Sequence, residues 1–304
     1  MTSGLRGVYL EYNSASISGK TALYGVIGDP VDHSLSPAIQ NAAFQAQGLD
    51  AVYVPFHVKP GTLKSAIQGL RALGVRGFNV TLPHKIPVMR FLDELDRKAS
   101  EMGSVNTVAN RNGILYGYST DGLGALKALG EAGVGIDGKT VLLLGAGGSA
   151  RALAYAFAPQ VKSMRIINRT FSRAKQLERR LRAKFPKDIA SAQLSRKSLS
   201  RYIEEADVIV NASSMGMDGK ADPPITEKSL RASQCVFELV YRPQETRLLR
   251  EAKLAGARTV NGLDQLVHQA ACSFELWFGR QAPLHEMRRA IARKLPLMAH
   301  AESS

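Results

Sequence analysis

The chain has 304 residues, 45% of them hydrophobic and 22% charged, proportions that support a sizeable core and exclude a disordered chain. At ~150 residues per domain, this length implies roughly two domains. Forty Lys and Arg against 26 Asp and Glu leave a formal charge of +14, and residues 162–201 alone hold 13 basic and 2 acidic side chains. An excess of that size directs attention to nucleic acid, a membrane surface or a phosphorylated ligand.

Residues 1–20 read as an extension ahead of the folded body. Leu23–Ile27 then reads as a buried strand, ended by Gly28-Asp29-Pro30. Ser36 as N-cap and Pro37 at the first helical position start a helix that runs to about Gln47. Val52–Val58 is the next strand, Thr62–Leu73 a helix, Gly77–Thr81 a third strand and Asp93–Met102 a helix. Val105–Ala109 and Ile114–Tyr118 flank Asn110-Arg111-Asn112-Gly113, a hairpin signal. A helix from Asp121 to near Gly133 leads into the apolar run Thr140–Leu144. After a small-residue loop and an Ala-rich helix come the strand Met164–Asn168 and a basic helix from Ser172 to about Phe185. The strands Val208–Asn211 and Val236–Val240 follow, then a helix over Glu245–Ala255. Gly262–Leu297 reads as two helices parted near Gly279–Pro283. Strands alternating with helices predict an α/β chain with a parallel sheet. The expected division is 21–120, 121–261 and a C-terminal helical segment, 262–304.

Cys235 and Cys272 are the only cysteines, which excludes a disulfide framework and points to a reducing compartment. No apolar run is long enough for a transmembrane helix, and the N-terminus lacks the apolar stretch of a secretory signal.

Gly145-Ala146-Gly147-Gly148-Ser149-Ala150 follows the strand Thr140–Leu144 and opens a helix. It fits G-x-G-x-x-A. The first glycine permits a tight turn, the second lets the backbone approach a pyrophosphate, and the small third residue permits close helix–strand packing. An NAD site places a carboxylate after the second strand, on the ribose hydroxyls. Here the residues are Asn168-Arg169-Thr170, with Arg173 beyond and no acid until Glu178. A guanidinium there pairs with a 2′-phosphate, so the expected cofactor is NADP.

Three clusters in the first half carry polar chemistry: His33-Ser34-Leu35-Ser36-Pro37, Asn79-Val80-Thr81-Leu82-Pro83-His84-Lys85, and Asn106 with Ser119-Thr120-Asp121-Gly122. Each alone reads as helix capping or a solvated charge. Together with the glycine loop, and in this order, they resemble the shikimate dehydrogenase family. The likeness continues through Asn211–Met217, Tyr241–Thr246 and Gln265–Gln269, and spans about Thr21 to Leu297.

The resemblance implies reversible NADPH-dependent reduction of 3-dehydroshikimate to shikimate, in aromatic amino acid (chorismate) biosynthesis, by a cytoplasmic monomer or homodimer. It implies an N-terminal α/β substrate domain and a Rossmann-type NADP-binding domain, with the C-terminal helices returning to the substrate domain. Lys85 and Asp121 become the catalytic pair. Ser34 and Ser36 hold the substrate carboxylate, Thr81, Asn106 and Gln269 its hydroxyls, and Tyr241 approaches the carboxylate or the nicotinamide. Gly145 to Ala150, Asn168, Arg169, Thr170, Arg173 and Gly262 are assigned to the cofactor.

Three positions depart from the common family pattern: Gln40 where many members have His, Ser119 where Asn is frequent, and Glu238 where Asp is frequent. Gln40 also occurs in quinate/shikimate dehydrogenases that accept NAD. The retained Asn168-Arg169-Thr170 and Asn79-Val80-Thr81 favour the NADP, shikimate-specific branch. A metabolite-sensing homologue without activity is disfavoured by the presence of both Lys85 and Asp121.

Within the basic segment, Arg169 and Arg173 are expected to meet the cofactor. Lys175, Arg179, Arg180, Arg182 and Lys184 are expected to face solvent. No helix-turn-helix, zinc or aromatic-stacking signature accompanies them, so no nucleic acid partner is expected. His285-Glu286 lacks a second histidine four residues on, and hydride chemistry needs no metal, so none is expected.

Overall fold

The computed structural model describes residues 17–217 and 220–301. Most of the expected N-terminal extension, residues 1–16, lies outside the described residues. The first half contains β1 (Ala22–Gly28), α1 (Ser36–Ala46), β2 (Ala51–His57), α2 (Leu63–Ala72) and β3 (Gly77–Val80). It continues with β4 (Glu94–Leu95), α3 (Arg97–Met102), β5 (Thr107–Arg111) and β6 (Ile114–Tyr118). These strands form one mixed sheet in the order β2-β1-β3-β5-β6-β4. β1 runs parallel to β2 and β3, whereas β5 is antiparallel to both β3 and β6.

α4 (Asp121–Glu131) crosses to the second half. There follow β7 (Thr140–Leu144), α5 (Gly148–Phe157), β8 (Ser163–Asn168), α6 (Phe171–Lys184), β9 (Asp188–Gln193), α7 (Arg196–Glu205) and β10 (Val208–Asn211). β11 (Cys235–Glu238), α8 (Arg247–Leu254) and β12 (Arg258–Val260) complete the series. The second sheet has the order β12-β11-β10-β7-β8-β9 and every pairing in it is parallel. The order in which strands are added reverses between β7 and β10, the switch point where doubly wound sheets open a ligand crevice at their carboxyl ends. Its middle strands are buried end to end, as a sheet covered on both faces requires.

The last two helices, α9 (Gly262–Phe278) and α10 (Leu284–Ala301), leave the second sheet and pack on the first. Phe274, Trp277 and Phe278 of α9 join Tyr24, Phe44 and Tyr53 in one aromatic cluster. The Trp277 indole donates to Val108 O at 3.0 Å, and lies where a Cβ on Gly77 would stand, 2.5 Å from its Nε1. Among the described residues, no helix is long and apolar enough to cross a membrane.

The elements differ from the sequence reading in three ways. Ser36 is the first residue of α1 and not its cap; the preceding Leu35 takes that place without a side-chain bond, and Ser34 Oγ accepts from Ser36 N at 3.3 Å. The helix read from Asp93 starts only at Arg97. Asp96 caps it by accepting from Lys98 N and Ala99 N, and Glu94–Leu95 pairs with β6 instead. β9, α7 and β12 were not expected. β9 buries only Ile189 among small and polar residues, and β12 has three residues, so neither carries a period to detect.

Candidate active site

Lys85 lies in the turn after β3, and Asp121 is the first residue of α4, where the helix N-terminus favours a carboxylate. The Lys85 ammonium pairs with Asp121 Oδ2 and also donates to Ser149 Oγ at 3.0 Å. Ser149 belongs to the first turn of α5, so one lysine joins the first sheet's half to the glycine loop of the second. Gly148 permits this approach: a Cβ there would stand 2.5 Å from Lys85 Cβ.

Asn106, just ahead of β5, is the hub behind this pair. Its Nδ2 lies 2.8 Å from Thr120 Oγ1, 3.0 Å from Asp121 Oδ1 and 3.1 Å from Gln269 Oε1. Its Oδ1 accepts from Thr120 N at 2.7 Å. Gln269 comes from α9 and donates to Leu266 O at 2.8 Å. Below the hub, Asn79 accepts from the Tyr53 hydroxyl at 2.7 Å and donates to Ser273 Oγ at 3.0 Å. These side chains are nearly all buried, so the network holds its members in single positions.

Ser34 and Ser36 sit on the turn entering α1, and Tyr241 reaches that turn from the segment after β11. Burial pushes the Tyr241 phenol up, while the Arg242 charge and a backbone hydrogen bond from Leu35 pull it the other way. Thr81 directly follows β3 and stands against Gly28, whose missing side chain makes room: a Cβ there would meet Thr81 Cγ2 at 2.4 Å. Among the described residues, no side-chain hydrogen bond ties Thr81 into the Asn106 network.

The glycine loop follows β7. Gly145 has φ +117° and a Cβ there would stand 2.9 Å from Ala212 O, so the loop is wedged against the segment after β10, at the switch point. Gly147 faces open space with nothing within 4 Å of a built Cβ, and α5 starts without a side-chain cap. Its first N–H groups are therefore available to an anion. Asn168 shapes the turn after β8 by donating to Thr170 O at 2.9 Å, and Arg169 and Arg173 project exposed beside it, with no carboxylate in that turn. An uncapped helix start with an open backbone face and two free guanidinium forks is the donor set that a dinucleotide with a 2′-phosphate requires. Gly262 is buried at the first turn of α9, where a Cβ would stand 2.3 Å from Leu239 O.

On the basic helix Arg179, Arg180, Arg182 and Lys184 are exposed, as expected, and some of its charges also form ion pairs. Lys175 and Arg182 pair with Glu178, and Lys184 pairs with Glu101 of α3, on the other half of the molecule. Tyr155 of α5 also donates to Glu101, and Arg151 Nη1 reaches Gly103 O at 3.5 Å. Part of the positive segment thus forms a seam between the halves, which a solvated-helix reading missed because Glu101 is far away in sequence. The contact of Lys85 with Ser149 was likewise unforeseen, as were Ser273 and the carboxylate network of Glu238 described below.

Three family patterns match the chain. "Shikimate dehydrogenase substrate binding domain" matches residues 26–108, "Shikimate / quinate 5-dehydrogenase" residues 128–219, and "Shikimate 5'-dehydrogenase C-terminal domain" residues 262–292. The chain is 46% identical over 276 residues to a shikimate dehydrogenase (NADP+) of Symbiobacterium thermophilum, covering 90% of this chain and 94% of that one. A crystal structure of a shikimate dehydrogenase in complex with NADP+ superposes with a TM-score of 0.84 at 40% identity, covering 91% and 97%. The Thermus thermophilus shikimate 5-dehydrogenase, solved with NADP(H) and shikimate, gives a TM-score of 0.79 at 33% identity, covering 90% and 99%.

Proposed function

The chain belongs to the shikimate dehydrogenase family, and from that premise we propose how its own residues divide the work of the reaction. It is an NADP-dependent oxidoreductase, and its reaction is the reversible reduction of 3-dehydroshikimate to shikimate. NADP(H), when bound, supplies or accepts the hydride. The chain must then bind a polyhydroxylated carboxylate, manage one proton and stabilise charge on one oxygen.

Lys85 and Asp121 manage the proton. As the ketone carbon is reduced, negative charge builds on its oxygen, and the Lys85 ammonium both stabilises that charge and delivers an N–H proton to it. Asp121 orients the lysine and offsets its charge. In the oxidation direction the same nitrogen takes the proton back. The single observation that carries this reading is the Lys85 ammonium, bonded at once to Asp121 and to Ser149 of the cofactor loop. It stands on the border between the substrate and cofactor sides.

Ser34, Ser36 and Tyr241 take the substrate carboxylate. Asn106, Gln269 and Thr81 offer the amide and hydroxyl groups that match its hydroxyls. The loop Gly145–Ala150 receives the pyrophosphate, and Asn168, Arg169, Thr170 and Arg173 receive the 2′-phosphate. Gly262 serves this arrangement by letting α9 close on the end of β11. We assign residues 21–120 with the C-terminal helices to the substrate side and 121–261 to the cofactor side. Cys235 and Cys272 are both free and buried, which suits a reducing cytoplasm.

The direct test is a spectrophotometric assay of NADP+ reduction by shikimate, run beside quinate and beside NAD+. Faster turnover with shikimate and NADP+ is expected. Faster turnover with quinate and NAD+ would overturn the assigned specificity.

A further inference from the structure

Glu238 ends β11 and is fully buried. Every hydrogen-bond partner of its carboxylate is a donor. Asn211 Nδ2 lies 2.9 and 3.1 Å from the two oxygens, Val240 N donates to Oε1 at 2.9 Å, and the Thr246 hydroxyl donates to Oε2 at 3.2 Å. None of these partners carries a charge. A carboxylate accepts from all of them together, and a carboxylic acid keeps the same partners by turning its hydrogen to the Thr246 hydroxyl, which can accept as well as donate. A side chain without the carboxyl leaves the Asn211, Val240 and Thr246 donors unpaired.

The partners lie on two segments of the site. Asn211 shapes the 211–217 segment: its Nδ2 also donates to Met215 O at 2.9 Å, and its Oδ1 accepts from Ser213 Oγ at 2.7 Å. That segment is the one wedged against Gly145 of the glycine loop. Val240 and Thr246 bracket the segment that carries Tyr241 to the Leu35 turn, and Thr246 also caps α8 through Leu249 N at 3.3 Å. One buried carboxylate thus fastens the wall of the cofactor loop to the segment that presents a substrate residue.

We propose that Glu238 is a positioning residue for the reaction: its buried carboxyl, bonded to both, holds the 211–217 and 240–246 segments in one arrangement. The inference rests on the site reading given above. Burial pushes the Glu238 carboxyl up to about 7, with the bonds from Val240, Asn211 and Thr246 opposing that rise. The closed arrangement therefore binds this proton more tightly than an opened one and loosens as pH rises through about 7. The charged and titratable groups of the surrounding segments are Asp222, which flanks Gly216 beside Thr246, and Tyr241, Arg242 and the exposed Glu245, paired with Lys253, on the 240–246 segment itself.

The test combines hydrogen–deuterium exchange of the free protein at about pH 6 and about pH 8, corrected for intrinsic rates, with kcat/KM for shikimate at both. In the unmodified protein, peptides covering the two segments are expected to exchange several-fold faster at the higher pH. Glu238→Gln, fixed in the neutral form, keeps the same protection at both, whereas Glu238→Ala, which leaves the donors unpaired, exchanges fast at both and lowers kcat/KM about tenfold, the effect of one lost buried hydrogen bond. Glu238→Asp keeps a carboxyl and the pH dependence with its midpoint moved down. Equal protection at both pH values in the unmodified protein, or a Glu238→Ala enzyme with unaltered exchange and kcat/KM, overturns the proposal. Should Glu238→Ala fail to fold, an unshifted exchange midpoint in Glu238→Asp overturns it instead. A protein inert towards shikimate would refute the activity, while the exchange data would still decide whether Glu238 locks the two segments.

Discussion

The Lys85 ammonium and the Asp121 carboxylate form an ion pair at the meeting of the two halves, with side chains only 15% and 4% exposed. Such a pair is well shielded from solvent, and removing one member leaves the other as an uncompensated, largely buried charge. Its second bond, to Ser149, holds the lysine facing the cofactor loop.

Lys85→Ala is expected to lower kcat by about 10²–10⁴-fold, the usual range for a positioned acid–base group. KM for shikimate should change only a few-fold, because Asn106, Gln269 and the serine turn are untouched. Steady-state kinetics decide the point, and a variant with near-normal kcat would remove Lys85 from the chemistry.

Arg169→Ala should reduce the preference for NADP+ over NAD+ by about 10–100-fold, from the loss of a charge-assisted hydrogen bond of ~1.5–3 kcal/mol. Arg182→Ala should leave the preference unchanged. Arg182 is 62% exposed and stands 3.6 Å from Glu178. The ratio of kcat/KM for the two cofactors measures both.

Gly77→Ala should destabilise the protein by about 1–3 kcal/mol, as overpacking of a filled core does. The added methyl would stand 2.5 Å from Trp277 Nε1, and the indole's bond to Val108 O would have to yield. Calorimetry should show a Tm lower by several degrees. An unchanged Tm would mean that α9 shifts on the first sheet without penalty.

Glu238 makes stability depend on pH in a definite direction. Its carboxyl is raised from 4.5 to about 7 by burial, so the folded state binds the proton more tightly than the unfolded state. Its contribution is full below the unfolded value and is lost as pH rises from there through about 7, by up to ~3 kcal/mol. Glu238→Gln removes this loss. The stability of Glu238→Gln relative to the unmodified protein should therefore increase between pH 4.5 and 7, as denaturant unfolding at a series of pH values would show. A constant difference across that window would contradict the raised carboxyl.

Much of the fold was legible because local rules govern it. The run Thr140–Leu144 is apolar throughout and forms β7 with those bounds, and the glycine loop after it reads directly as a turn into a helix. Elements with few buried residues escaped. β9 and β12 are edge strands, whose pairing comes from a neighbour's free backbone groups more than from their own side chains. Ser36 misled for a related reason: hydroxyl residues at 34 and 36 both suit a helix entry, and the local alphabet does not choose between adjacent frames.

The sequence by itself determined the α/β class, the dinucleotide turn and the arginine that stands where an NAD site has an acid. Each depends on residues adjacent in the chain, whose backbone preferences and burial pattern act locally. Only the tertiary structure decided which distant groups share a site. Asn106 and Gln269 lie 163 positions apart and meet because α9 turns back onto the first sheet. Lys184 finds Glu101, and Glu238 finds Asn211 and Thr246, because sheet order and helix packing bring them together. No local period encodes those meetings. They follow from where the apolar faces of whole elements can be buried at once, and that is a property of the assembled fold.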